Sequence, residues 1–129
     1  MTRTLPILAL LAVSGAALAD GKFQRDSEAF PAGAQPARRV IAVGGCKETG
    51  PVTKLSLMKV GGAGIASAKL VLTDVDVKYD DRTVDKLLKS DGPFYYDFFR
   101  LKQPCVSEVI LVGKSTDASG RFGVRVELD

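Results

Sequence analysis

The chain has 129 residues, with 18 Lys and Arg against 15 Asp and Glu, no His, no Trp and two Cys. That length suits one domain with a modest core. The lack of histidine removes the Ser-His and Cys-His nucleophile pairs and the commonest metal ligand. Arg38-Arg39 is the only adjacent basic pair. With no basic stripe to meet phosphates, the composition argues against nucleic-acid binding.

The first segment, MTRTLPILALLAVSGAALAD, reads as a secretory signal peptide over 1–19. Arg3 supplies the positive n-region, Leu5 to Leu18 the apolar run, and Ala17-Leu18-Ala19 the small-residue cleavage site. It is too short and wrongly flanked for a membrane anchor. The first cysteine is Cys46, far beyond the cleavage point, which argues against a lipid anchor. The predicted mature chain of roughly 110 residues begins at Asp20 in an exported compartment. Cleavage takes only Arg3 from the charged set, leaving 17 basic and 15 acidic residues.

Residues 20–37 (DGKFQRDSEAFPAGAQPA) show no periodicity and are rich in Gly, Pro and Ala. They read as a flexible N-terminal arm, with Phe23 and Phe30 able to dock on the domain. The domain itself is assigned to 38–129. RRVIAVGG (38–45) is a short apolar run ended by glycines, and VTKLSLMKV (52–60) alternates, with Leu55, Leu57 and Lys59 on one face. GGAG (61–64) reads as a turn. In AKLVLTDVDVKY (68–79), Val71, Thr73, Val75, Val77 and Tyr79 share one face, and Asp74, Asp76 and Lys78 the other. That period of two marks a half-buried strand.

DDR (80–82) turns the chain. TVDKLLKSDG (83–92) fits either one helical turn or a short irregular strand. PFYYDFFRL (93–101) follows, and then CVSEVILVG (105–113), apolar on both faces at its end as a central strand would be. GRFGVRVEL (120–128) places Phe122, Val124, Val126 and Leu128 inward. About seven short strands with turn signals between them predict an all-β fold, a small antiparallel β-sandwich. An even cysteine count in an oxidising compartment reads as one disulfide, Cys46–Cys105, closing a loop of about 60 residues. The rival readings are a redox pair or a metal site, although the chain has no CxxC.

With the signal peptide, Cys46 followed by VTKLSL, the long LVLTDVDVKY strand and PCVSEVILVG near the end, the layout resembles a known group. It is similar to the YaaI-like small exported bacterial proteins, the family of domain of unknown function 2541, over roughly Val40 to Leu128. The stretch between Lys78 and Cys105 departs most from that pattern. The resemblance implies an exported bacterial protein of this size with a paired cysteine, in the periplasm or secreted. It carries over no catalytic residue and no cofactor.

Three constellations invite chemistry. GKST (113–116) matches the end of a P-loop, but Glu108 stands where the first glycine belongs, so the motif fails. Asp74, Asp76, Asp80, Asp81 and Asp85 form an oxygen-rich group. The first four are a weak calcium alternative, weighed against a solvated strand face followed by a turn. Five of the nine aromatic residues lie within 94–99. If this stretch is extended, Phe94, Tyr96 and Phe98 face one way, and Tyr95, Asp97 and Phe99 the other. One row fills the core, and Tyr95 with Asp97 is expected to form the outer row.

Tyr95, Tyr96 and Phe99 are the predicted partner-binding residues. The expected function is a non-catalytic exported sandwich that needs no cofactor and binds an envelope or extracellular partner. The alternatives are an envelope-acting hydrolase with carboxylates near 74–85, or a small inhibitor of an exported enzyme that presents KSDGP (89–93).

Overall fold

A computed structural model describes residues 22–33, 35–61, 69–88, 94–116 and 122–129. The signal segment, the 62–64 part of the glycine turn, and KSDGP lie outside these residues. Eight strands and one helical turn follow in chain order: β1 (Phe23–Asp26), β2 (Ala37–Ala42), α1 (Cys46–Thr49), β3 (Lys54–Gly61), β4 (Leu70–Tyr79), β5 (Val84–Leu88), β6 (Tyr96–Arg100), β7 (Val106–Ser115) and β8 (Phe122–Leu128). They form two four-stranded antiparallel sheets, ordered β1-β8-β3-β6 and β2-β7-β4-β5. The predicted β-sandwich is therefore the observed architecture.

The core lies between the sheets and is built by alternation. β8 contributes Phe122, Val124, Val126 and Leu128, all buried, and β3 contributes Leu55 and Leu57. Facing them are Leu72, Val75 and Val77 of β4 and Val109 and Leu111 of β7. β7 lies inside its sheet, between β2 and β4, and accordingly buries Ile110 on its outer face as well. Residues 84–88, part of a segment open between helix and strand in the sequence, form β5 against β4.

Strict alternation fails in β4. Leu70 and Leu72 point inward in the first half, and Val75, Val77 and Tyr79 in the second. Val71 and Thr73 are therefore off the core face predicted for them. The cause is a bulge: Leu72 pairs with Gly113 and Asp74 with Val112, leaving Thr73 as an extra residue. Gly113 permits the close approach this requires, since a Cβ there would lie 2.6 Å from the Val71 carbonyl oxygen. A second irregularity sets Tyr79 opposite Val106 and Lys78 opposite Glu108. The Ser107 hydroxyl there donates to the Lys78 carbonyl at 3.0 Å. The β4–β5 hairpin closes through Arg82, whose φ of 74° places it in the left-handed region.

The arm assignment for 20–37 is corrected over its described part. β1 pairs with β8 in register from Phe23↔Leu128 to Asp26↔Arg125. Phe30 bridges to Phe122, and Ala32 to Ser115. Phe23 and Phe30 are both core residues. Two rings spaced seven residues apart each gain a few kcal/mol by burial, enough to hold the intervening polar chain on the sandwich.

Cys46 and Cys105 form the disulfide, with an S–S distance of 2.05 Å and Cα atoms 4.7 Å apart. The bridge joins α1, just past β2, to the start of β7. Among the described residues, no helix is long and apolar enough to cross a membrane.

Candidate functional site

β6 is an edge strand, and its phase is set by β3. Leu55 pairs with Phe99 and Leu57 with Asp97, while Ser56 pairs with Phe98 and Met58 with Tyr96. Leu55 and Leu57 are fully buried, so their partners lie on the inner side. Phe99 packs against the core, and Asp97, at the sandwich margin, remains exposed. Tyr96 and Phe98 therefore stand on the outer face, 57% and 56% exposed, and Tyr95 just before the strand is 59% exposed.

Of the three predicted binding residues, the structure leaves Tyr95 and Tyr96 exposed and turns Phe99 inward. The expected outer row of Tyr95 with Asp97 is corrected to Tyr96 with Phe98. Phe94 is buried although it shares their parity, because the chain changes sheets beside it. The Phe94 amide donates to Leu70 of β4, whereas the Tyr95 carbonyl accepts from Lys59 of β3.

Two rungs cross the outer face of this sheet. One runs Tyr96, Met58, Arg125, Asp26; the other runs Phe98, Ser56, Glu127, Gln24. The face thus grades from aromatic at β6 to charged at β1. Arg125 grips Asp26 with two hydrogen bonds, 2.8 and 3.2 Å, and this partner holds its guanidinium pKa above the usual value. Met58 is 40% exposed beside Tyr96. At the other end, Thr53, Lys54, Phe98, Arg100 and Asp129 line an open hollow of about 230 Å³. Lys54 Nζ lies 5.7 Å from the Phe98 ring centre. Lys59 Nζ is held between Tyr95 and Phe122, 4.6 and 4.7 Å from their ring centres. This surface offers flat aromatic faces with cations beside them. Phe98, Met58, Lys54 and Arg100 were missed by sequence reasoning. Phe98 was lost because residues 94–99 were assigned the opposite phase, and Met58, Lys54 and Arg100 had no signal of their own.

The acidic group does not assemble into a calcium site. Asp74 and Asp76 share the outer face of the other sheet, as expected, and Lys86 bridges both at 2.9 and 3.3 Å. Their hydrogen bonds push the Lys86 ammonium pKa up. Asp80 accepts the Cys46 amide at 3.3 Å. Asp81 accepts both the Thr83 hydroxyl, at 2.6 Å, and the Thr83 amide, at 3.0 Å, which hold its carboxyl pKa below the usual range. Among the described residues, no group of three or more His, Cys, Asp or Glu is placed to hold a metal ion.

Asp85 faces inward at the sandwich margin, with one carboxylate oxygen 3.6 Å from Lys102 Nζ and the other buried without a hydrogen bond among the described residues. Nearby, burial pushes the Tyr79 hydroxyl pKa up; the Lys102 amide, donating to it at 3.1 Å, opposes that rise, and the Asp85 charge adds to it.

A second hollow, of about 440 Å³, lies where β1 meets β2 and is lined by residues 25–28 and 38–42. Two of its three arginines are engaged. Arg25 donates to the Ala42 carbonyl at 3.1 Å, and Arg39 donates to the Ala29 carbonyl at 2.8 and 3.3 Å. No family model, curated protein or solved structure matches the chain.

Proposed function

We propose that this chain is an exported, non-catalytic β-sandwich protein that binds an envelope or extracellular partner through the outer face of β6 and β3 and the Tyr95 ring at its margin. One observation carries the reading: Tyr95, Tyr96 and Phe98 are each more than half exposed on one short edge segment. Large rings left in water are unfavourable unless something covers them, and Tyr and cation-flanked rings are common anchors of recognition surfaces. Met58, Lys54 and Arg100 extend the surface with one apolar and two cationic groups. Export to a periplasm or beyond the cell rests on the signal-like leader, and the disulfide fits such an oxidising compartment. The likeness to YaaI-like proteins belongs to the same proposal and brings no ligand with it.

The test uses the mature, oxidised chain immobilised as bait for envelope extract, beside a Tyr96→Ala/Phe98→Ala double variant with an unchanged circular dichroism spectrum. The expected result is a retained component lost with the double variant, together with slower nitration of Tyr95 and Tyr96 when that component is bound. Equal retention by both proteins, or unchanged nitration, overturns the assignment of this face.

A further inference from the structure

We propose that the open edge of β6 pairs with β6 of a second copy of this chain, giving a two-fold dimer in which two four-stranded sheets join into one of eight strands. This goes beyond the partner reading. It uses the backbone edge of β6 and leaves the outer aromatic face uncovered.

Backbone directions come first. The Lys59 amide donates to the Tyr95 carbonyl, and the Leu101 amide to the Thr53 carbonyl. In an antiparallel ladder such residues alternate, so 95, 97, 99 and 101 turn their backbone groups toward β3. Tyr96, Phe98 and Arg100 therefore turn theirs to the open side. Among the described residues one contact occupies that side: the Asp97 carboxylate accepts the Phe98 amide at 2.8 Å.

The other described edges are finished differently. β1 has only four residues. On β2 the Arg38 and Ala42 carbonyls are taken by Arg39 and Arg25, at 3.4 and 3.1 Å. β5 is bulged against β4 and carries the inward Asp85. Short strands, side-chain caps, bulges and inward charges each discourage edge pairing. β6 carries one such device, the inner-side Asp97 capping its Phe98 amide, but among the described residues no side chain takes its outward carbonyls at Tyr96, Phe98 and Arg100. An edge-to-edge contact between copies thus falls to β6 against itself, and that contact is isologous and closes at two.

Charge selects the register. Pairing centred on residue 97 would set Asp97 against Asp97 of the second copy, which like charges disfavour. Pairing centred on residue 99 sets Tyr96 opposite Lys102, beyond the end of the strand, so only Phe98 and Arg100 pair within it. Pairing centred on Phe98 uses all three outward residues. It places each Arg100 cation against a Tyr96 ring of the other copy, and Phe98 against Phe98. The cost is release of the Phe98 amide from Asp97, so Asp97 restrains the dimer.

The experiment is sedimentation velocity on the mature, oxidised protein over a wide concentration range, with oxidative cross-linking of single-cysteine additions. The expected result is reversible dimerisation, tightened about fivefold by Asp97→Ala through removal of the competing acceptor. Phe98→Cys should cross-link into a covalent dimer, since residues paired at the dyad have Cα atoms about 5.5 Å apart. Tyr96→Cys should not, because its own copies would stand roughly 13 Å apart, beyond the reach of a disulfide. A wild-type monomer at the highest concentration, or cross-linking equal at both positions, overturns the proposal. So does a monomer whose β6 amides gain hydrogen-exchange protection only on addition of a foreign polypeptide, which would assign the edge to that strand. Loss of envelope capture with the dimer intact refutes the partner reading alone.

Discussion

The two flanks of the sandwich start from the same problem and resolve it in opposite ways. Each flank ends in one edge strand from each sheet, and each edge leaves backbone groups unpaired. On the β1/β2 flank, Arg25 and Arg39 reach from one sheet to backbone carbonyls associated with the other, and Arg39 also covers the Phe30 ring at 5.7 Å. These two cations are bound to their own protein. On the β5/β6 flank, the connection is made by Lys102 to Asp85 and Gln103 to Thr83, and the aromatic side chains of β6 face water. The difference separates a structural margin from a margin available for recognition. A guanidinium committed to a carbonyl closes an edge, whereas an exposed ring offers apolar area to an incoming surface.

Phenylalanine truncations should give the widest separation of the flanks. Phe30 is 1% exposed, and Phe30→Ala should cost roughly 3–5 kcal/mol in urea unfolding. Phe98 is 56% exposed, and Phe98→Ala should change stability by no more than about 0.5 kcal/mol while weakening partner capture. Equal losses at the two sites would break the comparison.

The disulfide should come next. It closes a separation of 59 residues, and removing it as Cys46→Ala/Cys105→Ala should cost roughly 2–4 kcal/mol. Because Cys46 follows β2 and Cys105 leads into β7, amide exchange should accelerate in β2 before it does in β6. The opposite order would place the weak point of the fold on the aromatic flank.

A smaller effect is expected at Arg39. Arg39→Ala removes two hydrogen bonds to Ala29 and the cover over Phe30, a loss of about 1–2 kcal/mol. Arg39→Lys should recover little of it, since an ammonium does not reproduce the guanidinium fork or its stacking. Full rescue by lysine would reduce the clasp to a charge effect.

The same contrast explains what could be read from the residues alone. β8 was legible because Phe122, Val124, Val126 and Leu128 alternate without interruption, and the disulfide because two cysteines leave one pairing. The face of Thr73 was not legible. A bulge is a property of two strands, and nothing in LVLTDVDVKY announces that Gly113 will sit opposite Leu72. β1 was hidden by its composition: one buried ring, Phe23, among exposed polar residues gives no period. In β6 both rows of side chains contain aromatics, so the pattern fits either phase. Only the register Leu55↔Phe99 decides that Phe99 goes in and Phe98 stays out. All four calcium candidates were legible as surface and turn acids. The partners of three of them, Lys86 and Thr83, come from a segment that the sequence left open.

The smallest expected effect lies in the turn at the base of the open flank. The Asp81 carboxylate accepts the Thr83 hydroxyl and amide, and these contacts lower its pKa from an ordinary value of 3.8. A carboxyl whose folded pKa is depressed adds stability above its unfolded pKa and loses it as the pH falls through the folded one. Thr83→Val removes the hydroxyl and keeps the amide. The Asp81 pKa should therefore rise toward the ordinary value in a carboxyl-detected NMR titration. The variant should be slightly less stable than the wild type at neutral pH, and this contribution to the difference should vanish at a pH of about 2. Thr83 also receives Gln103 Nε2 at 3.0 Å. Gln103 also contributes to the lowered Asp81 pKa, so the residual gap at low pH measures only the neutral Gln103–Thr83 contact. A gap unchanged across the whole range would mean that Asp81 contributes nothing and that the base of the aromatic flank is held by Gln103.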